Sequence, residues 1–378
     1  MSKIVLGSTF GDEGKGITVD WLCSQSKNPM VVRFSGGQQA GHMVVSESGL
    51  SHIFSGFGSG TLRGVPTYWS EFCTIDPIHL MSEYTVLKSK GITPKLFIDM
   101  KCPVTTPYEV FHNVQLEKFN QHGTCGFGIG QTWQREQDHY SLLVEDMFFE
   151  EIFLMKFANI IGHYYKFGVT DEYLNKFKRC VKEMMNNPDF IFVRAVPQVD
   201  EKCEEYNYIF EGSQGLLLDK DNGFFPNVTR SNTGMVNALH ISDLADDDIE
   251  DVFLVTRAYQ TRHGNGPMTN EEYRLCVKDN PNECNKANPH QGTFRKTVLD
   301  LNLIQYAIMK EPYLAYRDVN LVVTCLDQLN KYQFTCDGIL RQVETEDEFL
   351  DAIAKELDGR VTGIYTSHSN VSNNITKK

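Results

Sequence analysis

The chain has no CxxC pair, no apolar run near the ~18 residues a membrane helix needs, and no excess of positive charge. Ten cysteines are scattered over 378 residues, and the closest two, Cys276 and Cys284, are too sparse for a zinc knuckle. Free thiols in a reducing compartment are the expectation. Lys and Arg number 36 against 49 Asp and Glu, a net charge of −13. Proteins that bind nucleic acid or membrane surfaces normally carry a basic patch, so this balance argues against both. Small anionic ligands stay admissible, because a few local donors hold them against an acidic background. The N-terminus reaches the strand-like "KIVLGS" at once, too short for a secretory leader, and the reading is a soluble cytoplasmic protein. Internal repeats, low-complexity linkers and breaks in composition are missing too. Residues 1–378 therefore read as one domain, and 41% hydrophobic residues allow a sizeable core.

What is there is a series of short apolar runs at 4–7, 31–34, 95–100, 190–193, 208–212, 252–256 and 321–325, bounded by Gly, Asp or Asn. Continuous apolar runs suit strands buried on both faces of a parallel sheet. The spacing predicts one long amphipathic helix over 144–167, a second over 171–186, and a third over 345–357 that opens on a capping box of Thr345 and Glu348. The acidic run 242–252 lacks the alternation and glycine of a calcium loop and reads as a solvated helix start. The fold class is α/β, a large mostly parallel central sheet flanked by helices.

The stretch "GSTFGDEGKGITVD" (7–20) looks like a phosphate loop but is off pattern. A Walker A loop places four residues before its GK and follows it with Ser or Thr for magnesium. Here six residues separate Gly7 from Gly14-Lys15, and Gly16 stands in the hydroxyl position. Strand, glycine turn and helix still suit an anion, with backbone N–H groups and Lys15 facing it. Asp12 repels phosphate unless a metal bridges them or it serves as a base. The competing reading is an acidic first helical turn favoured by the macrodipole. On these fourteen residues the two stand even.

Further signatures follow in order: "RFSGGQQAGHMVV" (33–45) with His42, "HGTCGFGIG" (122–130), "FEGSQGLLLDKDNGFFPNVTRSNT" (210–233) with Gln214 and Thr229, and "VVTCLD" (322–327). Together they resemble the adenylosuccinate synthetase family, with its GDEGKG loop, NAGHT-type segment, GTTGRGIGP-type turn, EGAQG strand end, VTSSNT-type turn and TKLD motif. The likeness runs from about residue 3 to 330 and more faintly to 370. It implies that family's fold and ligation of L-aspartate to C6 of a purine nucleotide, driven by a nucleoside triphosphate with Mg²⁺. A base removes the N1 proton, O6 takes the γ-phosphoryl group, and the aspartate amine displaces it. By resemblance Asp12, His42 and Lys15 are catalytic, and Asp12 and the Gly41 carbonyl hold the metal. Gly11, Glu13, Gly14, Gly16, Gly41, Thr124, Cys125, Gln214 and Thr229 bind nucleotide and phosphate. Thr293 and Arg295 bind aspartate, and Asp327 and Ser367 read the triphosphate base. The resemblance also implies a homodimer with an arginine crossing to the 5′-phosphate; that arginine aligns with His139, with Arg135 near enough to substitute.

The departures point to the phage-type branch, which joins aspartate to dGMP on the way to diaminopurine. Ser35 stands where many relatives have glutamine, and "HIFSGFGSGTLRGVP" (52–66) is richer in glycine than its counterpart, which predicts room for a purine 2-amino group. Thr293 replaces an arginine that reaches the ribose hydroxyl, which suits a 2′-deoxy sugar. Asp12 and Glu13 are retained where many phage-type members lose them. Asp327 favours GTP as donor, since guanine alone offers it two N–H groups; ATP or dATP is the alternative. An ordinary synthetase acting on IMP is the first rival. A GTP-binding switch protein is the rival of another class, opposed by the missing Walker A spacing and the missing magnesium Ser/Thr.

Overall fold

The first strand lies in the middle of the molecule, and this decides where the loop after it emerges. The computed structural model describes residues 2–120, 123–166, 168–280, 283–285, 292–357 and 359–378. Ten strands form the central sheet: β1 (Ser2–Gly7), β2 (Pro29–Arg33), β3 (Thr67–Trp69), β4 (Leu96–Asp99), β5 (Phe190–Val193), β6 (Asn207–Glu211), β7 (Ile249–Arg257), β8 (Val319–Thr324), β9 (Gly363–Ser367) and β10 (Ile375–Lys377). Their order is β10-β9-β8-β7-β1-β6-β2-β3-β4-β5. All neighbours run parallel except the last strand against β9.

Burial on both faces explains the apolar runs. Ile4, Leu6, Met30, Val32, Phe210 and Leu254 pack on one face with helices Val236–Leu244 and Leu301–Lys310. Val5, Val31, Ile209 and Val255 face the helix Lys15–Gln25 through Ile17, Val19 and Leu22. A third cluster joins Trp69, Ile98 and Phe190 to helices Pro77–Ser89, Glu150–His163 and Asp171–Met185. All seven expected strands are present. Thr67–Trp69 and the two C-terminal strands escaped the reading because three-residue or half-polar strands carry no apolar run.

Two helix expectations need correction. The stretch 144–167 is broken: a 3-10 turn Val144–Phe148 precedes a helix Glu150–His163, and Phe149 between them is extended. Asp146 is the cause, because its carboxylate accepts the Leu143 N–H at 2.8 Å and Lys156 Nζ at 2.7 Å and closes the turn. Residue 167 lies outside the described residues. The acidic run 242–252 is a helix end rather than a start. Asp246 turns left-handed (φ 54), stopping Val236–Leu244, and β7 begins at Ile249. The capping box of Thr345 and Glu348 heads the helix Glu346–Glu356 as read.

At the carboxyl ends of β1, β2 and β6, the loops 8–14, 34–41 and 212–215 leave the sheet side by side. In open α/β sheets ligands bind at such an edge.

Candidate active site

The loop after β1 turns its two carboxylates to different work. Gly11 (φ 85), Asp12 (φ 59) and Gly14 (φ 105) are all left-handed, which coils the chain back on itself. Glu13 is buried within that coil. Its Oε1 accepts Thr9 N and Thr9 Oγ1 at 2.7 Å and Ser8 Oγ at 3.1 Å. Burial raises its pKa, and nearby Lys15 and these donors offset only part of that. The Glu13 carboxylate therefore shapes the loop.

Asp12 is anchored by its backbone, with Arg257 Nε donating to its carbonyl at 2.7 Å. Its carboxylate, 26% exposed, meets only His263 Nδ1 at 3.9 Å among the described residues. The helix starts at Lys15 with Gly14 as its cap, without a side-chain cap bond and without acid in its first turn. Its leading N–H groups are thus bare, and the acidic-first-turn reading falls. A Cβ on Gly16 would lie 2.8 Å from the His42 Cβ, so only glycine lets the helix start approach that histidine. Burial lowers the Lys15 pKa, against the pull of Glu13, Asp12 and Glu211.

His42 opens the short strand His42–Val45 and hydrogen-bonds Glu211 Oε1 through Nδ1 at 2.5 Å. Glu211 ends β6 beside Arg33 of β2 and also accepts from Ser59 N at 3.0 Å and from Ser59 Oγ. Burial pushes the Glu211 carboxyl up, but His42, Arg33 and Ser59 outweigh it and hold it at about 2. The pair leaves His42 Nε2 as the nitrogen free for a ligand. Glu211 was missed by the sequence reading, although an acid closing an apolar strand in "YIFEG" was the signal.

These elements border a cleft of about 420 Å³. Gly11, Asp12, Glu13, Gly14, Lys15, Gly16, Gly41, His42, Thr124, Cys125, Gln214 and Thr229 all line it. His122, which begins the second glycine turn, lies outside the described residues. Thr124 Oγ1 donates to Asn113 at 3.2 Å, and burial pushes the Cys125 thiol up to about 11. The wall adds Arg230, Arg257, Arg262 and His263, which sequence reasoning did not single out. Arg262 stacks its guanidinium 4.2 Å from the Phe10 ring centre. The side-chain oxygens of Gln39, Gln131 and Gln214 and the Nε2 of His263 are buried there without partners among the described residues. Unpaired buried polar atoms are costly, and a cluster of them around one cleft marks a polar ligand's place.

Other expected residues lie elsewhere. Thr293 is exposed, and Arg295 spends its donors on Gly264 O (2.8 Å), Gly266 O (2.7 Å) and Glu271 (2.8 Å). Asp327 sits exposed on the turn Leu326–Gln328, which packs beside β9, and only its carbonyl is engaged, by Lys278 Nζ at 2.6 Å. Ser367 ends β9, fully buried, with Oγ donating to Ser369 O at 3.0 Å.

Ser35 does not open the cleft: its hydroxyl pairs with Ser213 Oγ at 2.9 Å, and it is fully buried. Nor do the glycines of 52–66, which answer to packing. A Cβ on Gly58 would meet Val31 at 2.6 Å, and one on Gly60 would meet Cys23 Sγ at 2.6 Å. Arg135 is wholly buried, bonded to Glu109 (2.8 Å), Val104 O (2.7 Å) and Tyr140 O (2.5 Å), and cannot reach across an interface. His139 remains exposed on the turn that follows (φ 65). Among the described residues no helix is long and apolar enough to cross a membrane, and no three His, Cys, Asp or Glu side chains cluster as metal ligands.

Comparison with known proteins bears on what fills the cleft. A family model described as adenylosuccinate synthetase matches residues 4–351. An adenylosuccinate synthetase of Psychromonas ingrahamii is 32% identical over 305 residues, covering 77% of this chain and 67% of that protein. One from Methylibium petroleiphilum is 29% identical over 377 residues, covering 94% and 80%. Among solved structures, fully ligated adenylosuccinate synthetase from Plasmodium falciparum superposes with a TM-score of 0.76 at 19% identity, covering 100% of this chain and 99% of that one. The succinoaminodeoxyadenylate synthetase of cyanophage S-2L, bound to dGMP and dATP as an energy donor, gives 0.67 at 14% identity, covering 100% and 96%.

Proposed function

This chain belongs to the adenylosuccinate synthetase family of C–N ligases, and on that premise we propose that it joins L-aspartate to C6 of dGMP at the expense of a nucleoside triphosphate. The observation that carries the dGMP reading is the acceptor-rich wall. Gln39, Gln131 and Gln214 line the cleft, and their amide oxygens are buried without a partner among the described residues. Guanine offers N–H groups at N1 and N2, whereas hypoxanthine offers N1–H alone, so a guanine base leaves fewer of these oxygens unpaired. The S-2L synthetase of similar fold was solved with dGMP. Ordinary ligation of IMP is the second reading, favoured by the names of the sequence relatives.

In this reading Asp12 takes the N1 proton, and O6 attacks the γ-phosphoryl group. His42, held by Glu211 through Nδ1, donates Nε2–H to the transferring oxygens as the imidazolium, which burial opposes and Glu211 favours. Lys15 and the uncapped helix start face phosphate. Asp12 and the exposed Gly41 fit Mg²⁺, a hard cation that takes few protein ligands and keeps water and phosphate oxygens; bound there it neutralises the phosphate charge. Asp327, whose carboxylate has no partner among the described residues, would read guanine of GTP; dATP, the donor in the S-2L complex, is the alternative.

Two assays test this. Purified protein given dGMP or IMP with aspartate and triphosphate should form the dGMP product faster; faster turnover of IMP sinks the substrate assignment. Asp327→Ala should erase most of a preference for GTP over ATP, about tenfold for a lost charge-assisted hydrogen bond. Unchanged selectivity removes Asp327 from the base site.

A further inference from the structure

His263 ends the strand Gln260–His263, paired with Phe294–Thr297. Its ring stands edge-on to Phe294, centroids 5.7 Å apart, and is 9% exposed. Nδ1 lies 3.9 Å from Asp12 Oδ2. Nε2 is buried at the cleft wall without a hydrogen-bond partner among the described residues. Nδ1 is the ring nitrogen turned to the Asp12 carboxylate, so Nε2 is the one left for a ligand. A buried ring nitrogen without a partner is costly, so a hydrogen-bonding group belongs to whatever fills the cleft. In the reading above Asp12 faces N1 of the purine. C2 and C6 flank N1 in the ring, so a side chain beside the Asp12 carboxylate stands next to one of them, and C6 is the carbon the amine attacks.

We propose that His263 serves the second half of the reaction, accepting a hydrogen bond from the aspartate α-amine on Nε2 and aiming its lone pair at C6. The proposal rests on the ligase reading. In this step the N–C6 bond forms and the C6–O6 bond breaks, its electron pair leaving with O6 on phosphate. The amine enters as the neutral base and passes one proton to the departing phosphate, which leaves as hydrogen phosphate. His263 keeps its own proton throughout. Arg295 supports the arrangement from behind by holding the carbonyls of Gly264 and Gly266, next along the chain.

The two halves of the reaction can be read separately. Isotope scrambling between bridging and nonbridging β-phosphate oxygens of labelled triphosphate reports phosphoryl transfer without aspartate. In His263→Leu, scrambling with dGMP should stay within about twofold of wild type, while ligation falls about 10–100-fold, partly as a raised KM for aspartate. His263→Gln, whose side-chain oxygen reaches as far as Nε2, should recover most of the loss. His263→Asn, which is shorter, should not, and this pair decides the matter if the leucine variant does not fold. Undiminished ligation in both His263→Leu and His263→Asn overturns the assignment. So do scrambling and ligation that fall together. Wild-type protein that scrambles with neither dGMP nor IMP refutes the ligase reading itself.

Discussion

Asp12→Asn should lower kcat by about 10²–10⁴-fold while the protein stays folded. A positioned general base contributes a factor of that size, and asparagine cannot take the N1 proton. The fold should tolerate the change for two reasons visible in the loop. Asp12 is left-handed, with φ 59, a conformation asparagine adopts more readily than other non-glycine residues. Its carboxylate also holds no hydrogen bond that shapes the loop; the clamp from Arg257 is on its carbonyl. The melting temperature should therefore move by no more than about 2 °C. Initial rates at saturating substrates, beside a thermal melt, check both halves. A rate within threefold of wild type, at unchanged stability, removes Asp12 from the chemistry.

Arg135→Ala should cost about 3–5 kcal/mol of stability, because removing one partner of a buried ion pair strands the other charge. The stranded group is Glu109, fully buried, whose Oε1 takes Arg135 Nε at 2.8 Å and whose Oε2 takes the Thr106 N–H at 2.6 Å. The Val104 and Tyr140 carbonyls lose their donor as well. Denaturant unfolding measures the loss. The contrary outcome is equally definite: unchanged stability with a raised KM for the nucleotide would mean that Arg135 reaches substrate, as its place in the sequence suggested.

The contrast between these residues shows what the chain made legible. Motifs that gather glycine, one charge and one histidine within a dozen residues gave the cleft: Asp12, Lys15, His42, Gln214 and the turns at 124 and 229 all border it. Such motifs are local, and local backbone freedom writes itself into composition. Partnerships between distant strands do not. Glu211 meets His42 across 169 residues, and Arg257 meets Asp12 across 245. Nothing near either residue announces the pairing. Ser35 misled for the same reason: its partner, Ser213, sits in the loop after β6 and consumes the space its small side chain was thought to leave. Arg295 looked available because loop residues 264 and 266, which take its donors, are invisible from its own neighbourhood.

The central position of β1 has a consequence for how the protein is made. β1 is synthesised before both strands it pairs with, β6 and β7, the later of which ends at Arg257. The loop after it is then pinned by Thr324, whose hydroxyl donates to the Glu13 carbonyl at 2.7 Å. The phosphate loop leaves the ribosome well ahead of the residues that give it its shape. At about 5–20 residues per second, β1 waits tens of seconds for both neighbours. The distant pairings that close the sheet are also the kind that slow folding. Catalytic competence thus arrives as one late event, and a nascent chain cut short before β8 carries every residue of the loop without its geometry.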